Sequence, residues 1–241
     1  MSQELIVITG ASSGFGKEMA HLFSAKGHPL LLIGRRQEKM TEFHLPKTLV
    51  KQVDVSDRQG FAEAIQEAEK LYGPVDLLVN NAGQMLLGDV ANQDPEEWSR
   101  MLDTNVLGTL NGISCVLAGM KERQRGTIVN VSSIAGFKAF GNHAAYCATK
   151  YGVHGLTETV RLEGAESNVR VLLISPGAAE TELLNHTTNQ EMKDGYHDWK
   201  ETMGGVALDP LKVAESVAFM YEMPQSVSIR ELVIAATKQD N

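Results

Sequence analysis

The chain has 241 residues, 43% of them hydrophobic, and a formal net charge of −8. That length and apolar content suit one large α/β domain and argue against wholesale disorder, while the acidic balance makes a general nucleic-acid or anionic-membrane binder a poor reading. No apolar run approaches the ~20 residues that span a bilayer and no signal peptide is read at the start, while two distant cysteines (Cys115 and Cys147) and seven scattered histidines suggest no disulfide framework and no metal site, so the expected location is cytoplasmic.

The first apolar run, Leu5–Ile8, lacks alternation and reads as a strand buried on both faces. It leads directly into Thr9-Gly10-Ala11-Ser12-Ser13-Gly14-Phe15-Gly16 and a helical pattern over Gly16–Ala25. The glycines let the backbone turn tightly and approach a diphosphate, and the helix N-terminus offers free N–H groups and a partial positive charge. The second strand, Leu30–Ile33, ends at Gly34-Arg35-Arg36, before a helix over Arg36–Phe43. An NAD site needs a carboxylate here to accept from the ribose 2′-hydroxyl. Two guanidiniums stand in its place, and they suit a 2′-phosphate by geometry and charge. NADP(H) is therefore expected over NAD(H).

The third strand, Leu49–Val53, runs into Asp54 and Val55, where the carboxylate can meet the adenine amino group. A helix over Arg58–Leu71 precedes the fourth strand, Val75–Val79, which closes on Asn80-Asn81-Ala82-Gly83. Small residues there let a flat ring system slide past the backbone, and the amides can hold ribose. Asp94-Pro95-Glu96-Glu97 has the cap and first-turn proline of a helix start, for a helix over Pro95–Lys121.

The fifth strand, Thr127–Val131, meets Ser132-Ser133. The helix Ala144–Ala165 then carries Tyr146 and Lys150 at i and i+4, on one face, with Ser133 thirteen residues upstream of the phenol. A cation beside a phenol favours its ionised form and lowers its pKa, which suits proton exchange with an alcohol or carbonyl. His143 reads as a neighbour at the pocket rim, and Cys147 should face away from Tyr146. The sixth strand, Val169–Ile174, leaves through Pro176-Gly177 and Thr181, where the nicotinamide end of a cofactor should lie.

The interval from Ala179 to Leu208 breaks the rhythm of strand and helix. It is polar, yet carries Leu183, Leu184, Met192, Tyr196, Trp199 and Met203. It reads as a lid over a ligand, or as an excursion packed by its own aromatics. A helix over Pro210–Met223, started by Asp209, and a seventh strand, Glu231–Ala235, complete the chain. Strand–helix units repeated in this way specify a doubly wound parallel sheet with helices on both faces. No linker, repeat or composition break divides it, so residues 1–241 read as one domain, with 179–208 as its substrate lid.

Taken together, the glycine turn, Asn80-Asn81-Ala82-Gly83, Asn105, Ser132-Ser133, Tyr146-Cys-Ala-Thr-Lys150 and Pro176-Gly177-x3-Thr181 resemble the short-chain dehydrogenase/reductase family from one end of the chain to the other. The resemblance implies a Rossmann domain with seven strands in the order 3-2-1-4-5-6-7. It implies an alcohol–carbonyl oxidoreductase with the tetrad Asn105, Ser133, Tyr146 and Lys150. In that scheme Tyr146 is the general acid or base, and Ser133 orients the substrate oxygen. Lys150 lowers the phenol's pKa and holds the nicotinamide ribose, and Asn105 positions a water that relays protons. Gly34-Arg35-Arg36 and the ending Ser228–Gln239 are similar to a subgroup acting with NADP on 3-hydroxy acids and serine-like substrates. Such relatives form homodimers or homotetramers through the helices that here span Pro95–Lys121 and Ala144–Ala165. Ala148, Gly152 and Gly155 would permit that packing, or would instead pack on the sheet within one subunit.

The expected substrate pocket holds Ser133, Phe137, Phe140, Tyr146, Ala178, Ala179 and parts of the lid. Lys138 is the nearest partner for a substrate carboxylate, or else a solvated loop lysine. Trp199 and Met203 either touch substrate or pack within the lid. The alternative to an enzyme is an NADP(H)-binding regulator on the same fold with little turnover.

Overall fold

A computed structural model describes residues 4–202, 205 and 207–239. Seven strands, β1 (Leu5–Thr9), β2 (Leu30–Gly34), β3 (Thr48–Gln52), β4 (Val75–Asn80), β5 (Gly126–Val131), β6 (Val169–Pro176) and β7 (Glu231–Ile234), form one sheet in the order β3-β2-β1-β4-β5-β6-β7. Every pairing is parallel. The order reverses between β1 and β4, and that switch point opens a crevice at the carboxyl ends of the strands.

The apolar runs are buried on both sides because alternate residues serve opposite layers. Ile6, Ile8, Leu30 and Leu32 join Met19 and Phe23 of α1 (Gly14–Ala25) in one layer. On the other face, Leu5, Val7, Leu31 and Ile33 pack with Phe61 and Ile65 of a helix over Arg58–Tyr72. That helix follows a short α2 (Gln37–Thr41) and is labelled α3. The predicted helix Arg36–Phe43 is thus shorter than expected. Arg36 has a non-helical backbone (φ −104°, ψ 76°), and its side chain is committed elsewhere.

The single helix expected over Pro95–Lys121 is α4 (Pro95–Leu102) and α5 (Gly108–Glu122), joined by a π-turn at Asp103–Leu107. Such a turn inserts one residue and re-aims its side chains, and here it carries the buried Asn105. The helix α6 (Ala144–Ala165) lies against β5 and β6. A buried polar chain fixes it there: Asn80 Nδ2 donates to Asn130 Oδ1 (2.9 Å), and Asn130 Nδ2 donates to Thr157 Oγ1 (2.9 Å). Buried polar links of this kind fix position by direction as well as contact, although the Asn80 Oδ1 itself has no partner among the described residues.

Two helices finish the structure, α7 (Gln190–Thr202) and α8 (Pro210–Glu222). The latter is capped as the sequence predicts, with the Asp209 side chain accepting from Leu211 N at 2.9 Å. No helix among the described residues is long and apolar enough to cross a membrane.

Candidate active site

The glycine turn shows why each glycine is needed. Gly10 and Gly14 have positive φ (63° and 53°), a backbone region costly for other residues. A Cβ on Gly10 would stand 2.8 Å from Ala82 Cα, and one on Gly16 would stand 2.5 Å from Gly10 O. The turn therefore presses directly on the Asn81-Ala82-Gly83 segment. Ser13 is the N-cap of α1 but gives no side-chain cap, so first-turn N–H groups are left facing the crevice. The Asn81 amide braces the turn instead of pointing outward, with Nδ2 donating to Thr9 O (2.9 Å) and Gly10 O (3.3 Å).

The two arginines differ. Arg36 donates from Nη2 to Ser12 Oγ (2.9 Å) and Ser13 Oγ (2.8 Å), and from Nη1 to Glu182 Oε2 (2.6 Å). Lys39 Nζ reaches the other oxygen of Glu182 at 3.2 Å. Arg35 is exposed at the same end of the cavity, with no ion pair among the described residues. Asp54 also lines this end, its Oδ1 holding Ser56 N (3.0 Å) and Ser56 Oγ (2.7 Å). No carboxylate ends β2. A diphosphate cradle with guanidiniums at the ribose position fits a phosphorylated dinucleotide.

Tyr146 and Lys150 are both buried on α6 and face the same cavity, about 850 Å³ in volume. That is within the size range of cofactor and substrate clefts. The cavity also takes in Gly10, Ser12, Val55, Ala82, Gly83, Ser133, Pro176, Gly177 and Thr181. Ser133 lines the same cavity as the Tyr146 phenol, its Oγ accepting from Ala135 N at 3.1 Å, whereas Ser132 Oγ turns toward Lys150 O at 3.3 Å. Lys150 Nζ donates to Val131 O (3.0 Å) and lies 5.7 Å from the Tyr146 ring centre.

The acidity of the phenol departs from the sequence expectation. Burial raises the Tyr146 pKa above its ordinary value, the Ser133 hydroxyl only partly opposes this, and burial lowers that of Lys150 to about 8. Desolvation is the dominant cause of both shifts, because both groups lose water on the same buried face.

Asn105 is held in place on several sides. Its Oδ1 accepts from Gln84 N (2.8 Å), and its Nδ2 donates to Gln84 O (2.9 Å) and Thr149 Oγ1 (3.0 Å). A Cβ on Gly83 would be 3.5 Å from Asn105 Oδ1 and 3.9 Å from Lys150 Nζ, so the two flank one point. Cys147 turns away as expected, its Sγ 3.8 Å from Lys138 O.

A family model for short chain dehydrogenases matches residues 4–192. The chain belongs to the short-chain dehydrogenase family. An uncharacterized oxidoreductase of Staphylococcus saprophyticus is 34% identical to this short-chain dehydrogenase over 245 residues, covering 99% of this chain and 98% of that one. The closed form of a serine dehydrogenase complexed with NADP+ superposes with a TM-score of 0.90 at 32% identity, covering 98% of this chain and 96% of that one. ElxO with NADP bound superposes with a TM-score of 0.84 at 28% identity, covering 96% and 97%. The protein is thus an oxidoreductase built for a nicotinamide cofactor of the short-chain dehydrogenase type.

Described residues of the segment 179–208 line this dehydrogenase's cavity, with more structure than expected. The segment contains a 3₁₀ turn (Glu182–His186) and α7, which the sequence reading missed. Met192, Tyr196 and Trp199 of α7 line the cavity. Their spacing, i, i+4 and i+7, was the available signal. Glu182 and Met85 were also overlooked, as polar and apolar residues without a motif. Thr187 pins the segment, its Oγ1 donating to Met85 O (3.1 Å) and accepting from Leu87 N (3.2 Å). One expectation fails: Phe137 is 40% exposed and lies against His154, outside the cavity. Of the two readings of Lys138, the solvated loop lysine holds, since it is exposed and also outside the cavity. Phe140, Ala178 and Ala179 do line it. Met203 lies outside the described residues.

Proposed function

We propose that this short-chain dehydrogenase interconverts an alcohol and a carbonyl with NADP(H), using Tyr146 as general acid and base. The observation that carries the reading is one continuous cavity that joins the glycine turn to the Ser133–Tyr146–Lys150 group. The cofactor, when bound, supplies or takes the hydride. Gly10, Ser12, Ser13, Gly14, Phe15 and Gly16 hold its diphosphate, and Arg35 and Arg36 hold a 2′-phosphate. Asp54 and Val55 flank adenine. Asn81, Ala82 and Gly83 pass along the ribose, and Pro176, Gly177 and Thr181 border the nicotinamide.

In reduction, the raised pKa keeps the phenol protonated until a carbonyl oxygen needs its proton. Ser133 holds that oxygen in line, and Lys150, still charged below about pH 8, stabilises the phenolate left behind. Asn105 positions a water that returns a proton by way of Lys150. In oxidation the same groups act in reverse. The whole chain works as one domain, with 179–208 as a lid that excludes water. Two structural neighbours add support, since both hold NADP. The test is NADPH oxidation against a panel of carbonyl compounds, repeated in the alcohol direction with NADP+. Turnover in both directions is expected, and turnover in neither would leave a cofactor-binding regulator.

The working form is a homodimer or homotetramer. On α6, Ala148 and Gly155 are exposed, and a Cβ on Gly155 would meet nothing within 4 Å. Gly152 would meet only Val106, at 3.7 Å. These small residues therefore form an outward stripe and do not pack on the sheet. Leu107 and Leu110 next to α6's neighbour α5, and Tyr151 on α6, are 44%, 41% and 48% exposed. Sedimentation should show a dimer or larger species, and a monomer alone would refute this assembly.

A further inference from the structure

We infer that the substrate is an uncharged alcohol or carbonyl compound bearing an aromatic or comparably bulky apolar group, rather than a 3-hydroxy acid with a free carboxylate. This rests on the alcohol–carbonyl chemistry proposed above and names the substrate class for it. The first observation is an unbroken run of rings leading away from the phenol. His143 stacks on Tyr146 with ring centres 6.3 Å apart, Tyr196 on His143 at 6.4 Å, Trp199 on Tyr196 at 5.2 Å, and Phe140 on Trp199 at 6.2 Å. All of them line the cavity, together with the buried Met85 and Leu87. A wall of aromatic surfaces in tilted and edge-to-face contact favours a flat or bulky apolar group over a small polar one.

The second observation concerns charge. Every lysine and arginine lining the cavity is placed at the glycine turn, held behind Tyr146 or paired with a carboxylate. Arg36 is held at the glycine turn, Arg35 stands beside it, and Lys150 donates to Val131 O behind Tyr146. Lys200 is bound to Glu180 at 2.6 Å. Glu191, on the lid, adds a negative charge. Burial holds His143 toward its neutral form. A substrate carboxylate seated here would leave water without a free cation to receive it among the described residues, and an unpaired buried charge is strongly disfavoured. An ester, ketone or aromatic ring meets no such penalty.

The test is NADP+-dependent oxidation by the full chain of matched alcohols: 3-hydroxy-3-phenylpropanoate, its methyl ester, 3-hydroxybutanoate and its methyl ester. Each ester should exceed its acid in kcat/KM by about 100-fold, and the phenyl ester should exceed the butanoate ester by about tenfold. Trp199→Ala should narrow that second ratio toward one. An acid turned over as well as its ester, or a phenyl group without advantage, would overturn the inference. If none is oxidised, the alcohol–carbonyl reading has failed. Calorimetric binding of the same compounds to the NADP+ complex then decides the inference separately. Tighter binding of the esters supports it, and equal or tighter binding of the acids refutes it.

Discussion

Tyr146→Phe should lower turnover by about 10³-fold while NADPH binding stays near its original strength, as read by cofactor fluorescence. The substitution removes one oxygen and leaves the ring. The ring's packing against His143 is kept, so the wall of the cavity keeps its shape. What disappears is the proton that the carbonyl oxygen must receive. Lys150 cannot substitute, since its ammonium sits 5.7 Å from the ring and donates to Val131 O. A regulator that only senses cofactor would show no change in either readout, and retained turnover would remove Tyr146 from the chemistry.

Arg35→Ala should weaken NADPH binding by about 10- to 100-fold and barely change NADH binding, because a charge-assisted contact to the 2′-phosphate is lost. Arg36→Ala should behave differently. Its guanidinium also ties Ser12, Ser13 and Glu182 together, so NADH binding should fall as well, through a loosened glycine turn. Calorimetric titration of both variants with both cofactors separates the roles. Wild-type protein that binds NADH as tightly as NADPH would overturn the NADP assignment.

The parts that could be read from the chain were those whose residue types are forced by local physics. The glycines at positions 10, 14 and 16 are required by positive φ or by backbone contact, and such requirements are visible as letters. The strands announced themselves because a run such as Leu30–Ile33 is buried on both faces and has no polar alternation. Tyr146 and Lys150 came together because helix spacing alone does that.

The parts that could not be read depend on partners distant in sequence. The helix α7 has no fully buried residue; its short stripe of Met192, Tyr196 and Trp199 is set among polar residues and faces a cavity instead of the sheet. Glu182 gained its role only when the fold brought it 2.6 Å from Arg36, a residue 146 positions away. The direction of the Tyr146 shift was misjudged for a similar reason. The lysine could be counted from the sequence, but the loss of water around the phenol required the packed structure.

The lid and the sheet are held by different forces, and this sets how they respond to ionic strength. Glu182 with Arg36 and Lys39 ties the segment 179–208 to the body through partly exposed charges, while Glu180 with Lys200 braces the segment internally. The sheet is held mainly by apolar layers, with the buried charges Asp76 and Arg170 near the starts of β4 and β6. Added salt screens the first and leaves the second intact, or strengthens it when the anion is sulfate. The covering of the cavity is therefore adjustable by electrolyte, separately from the fold that carries it.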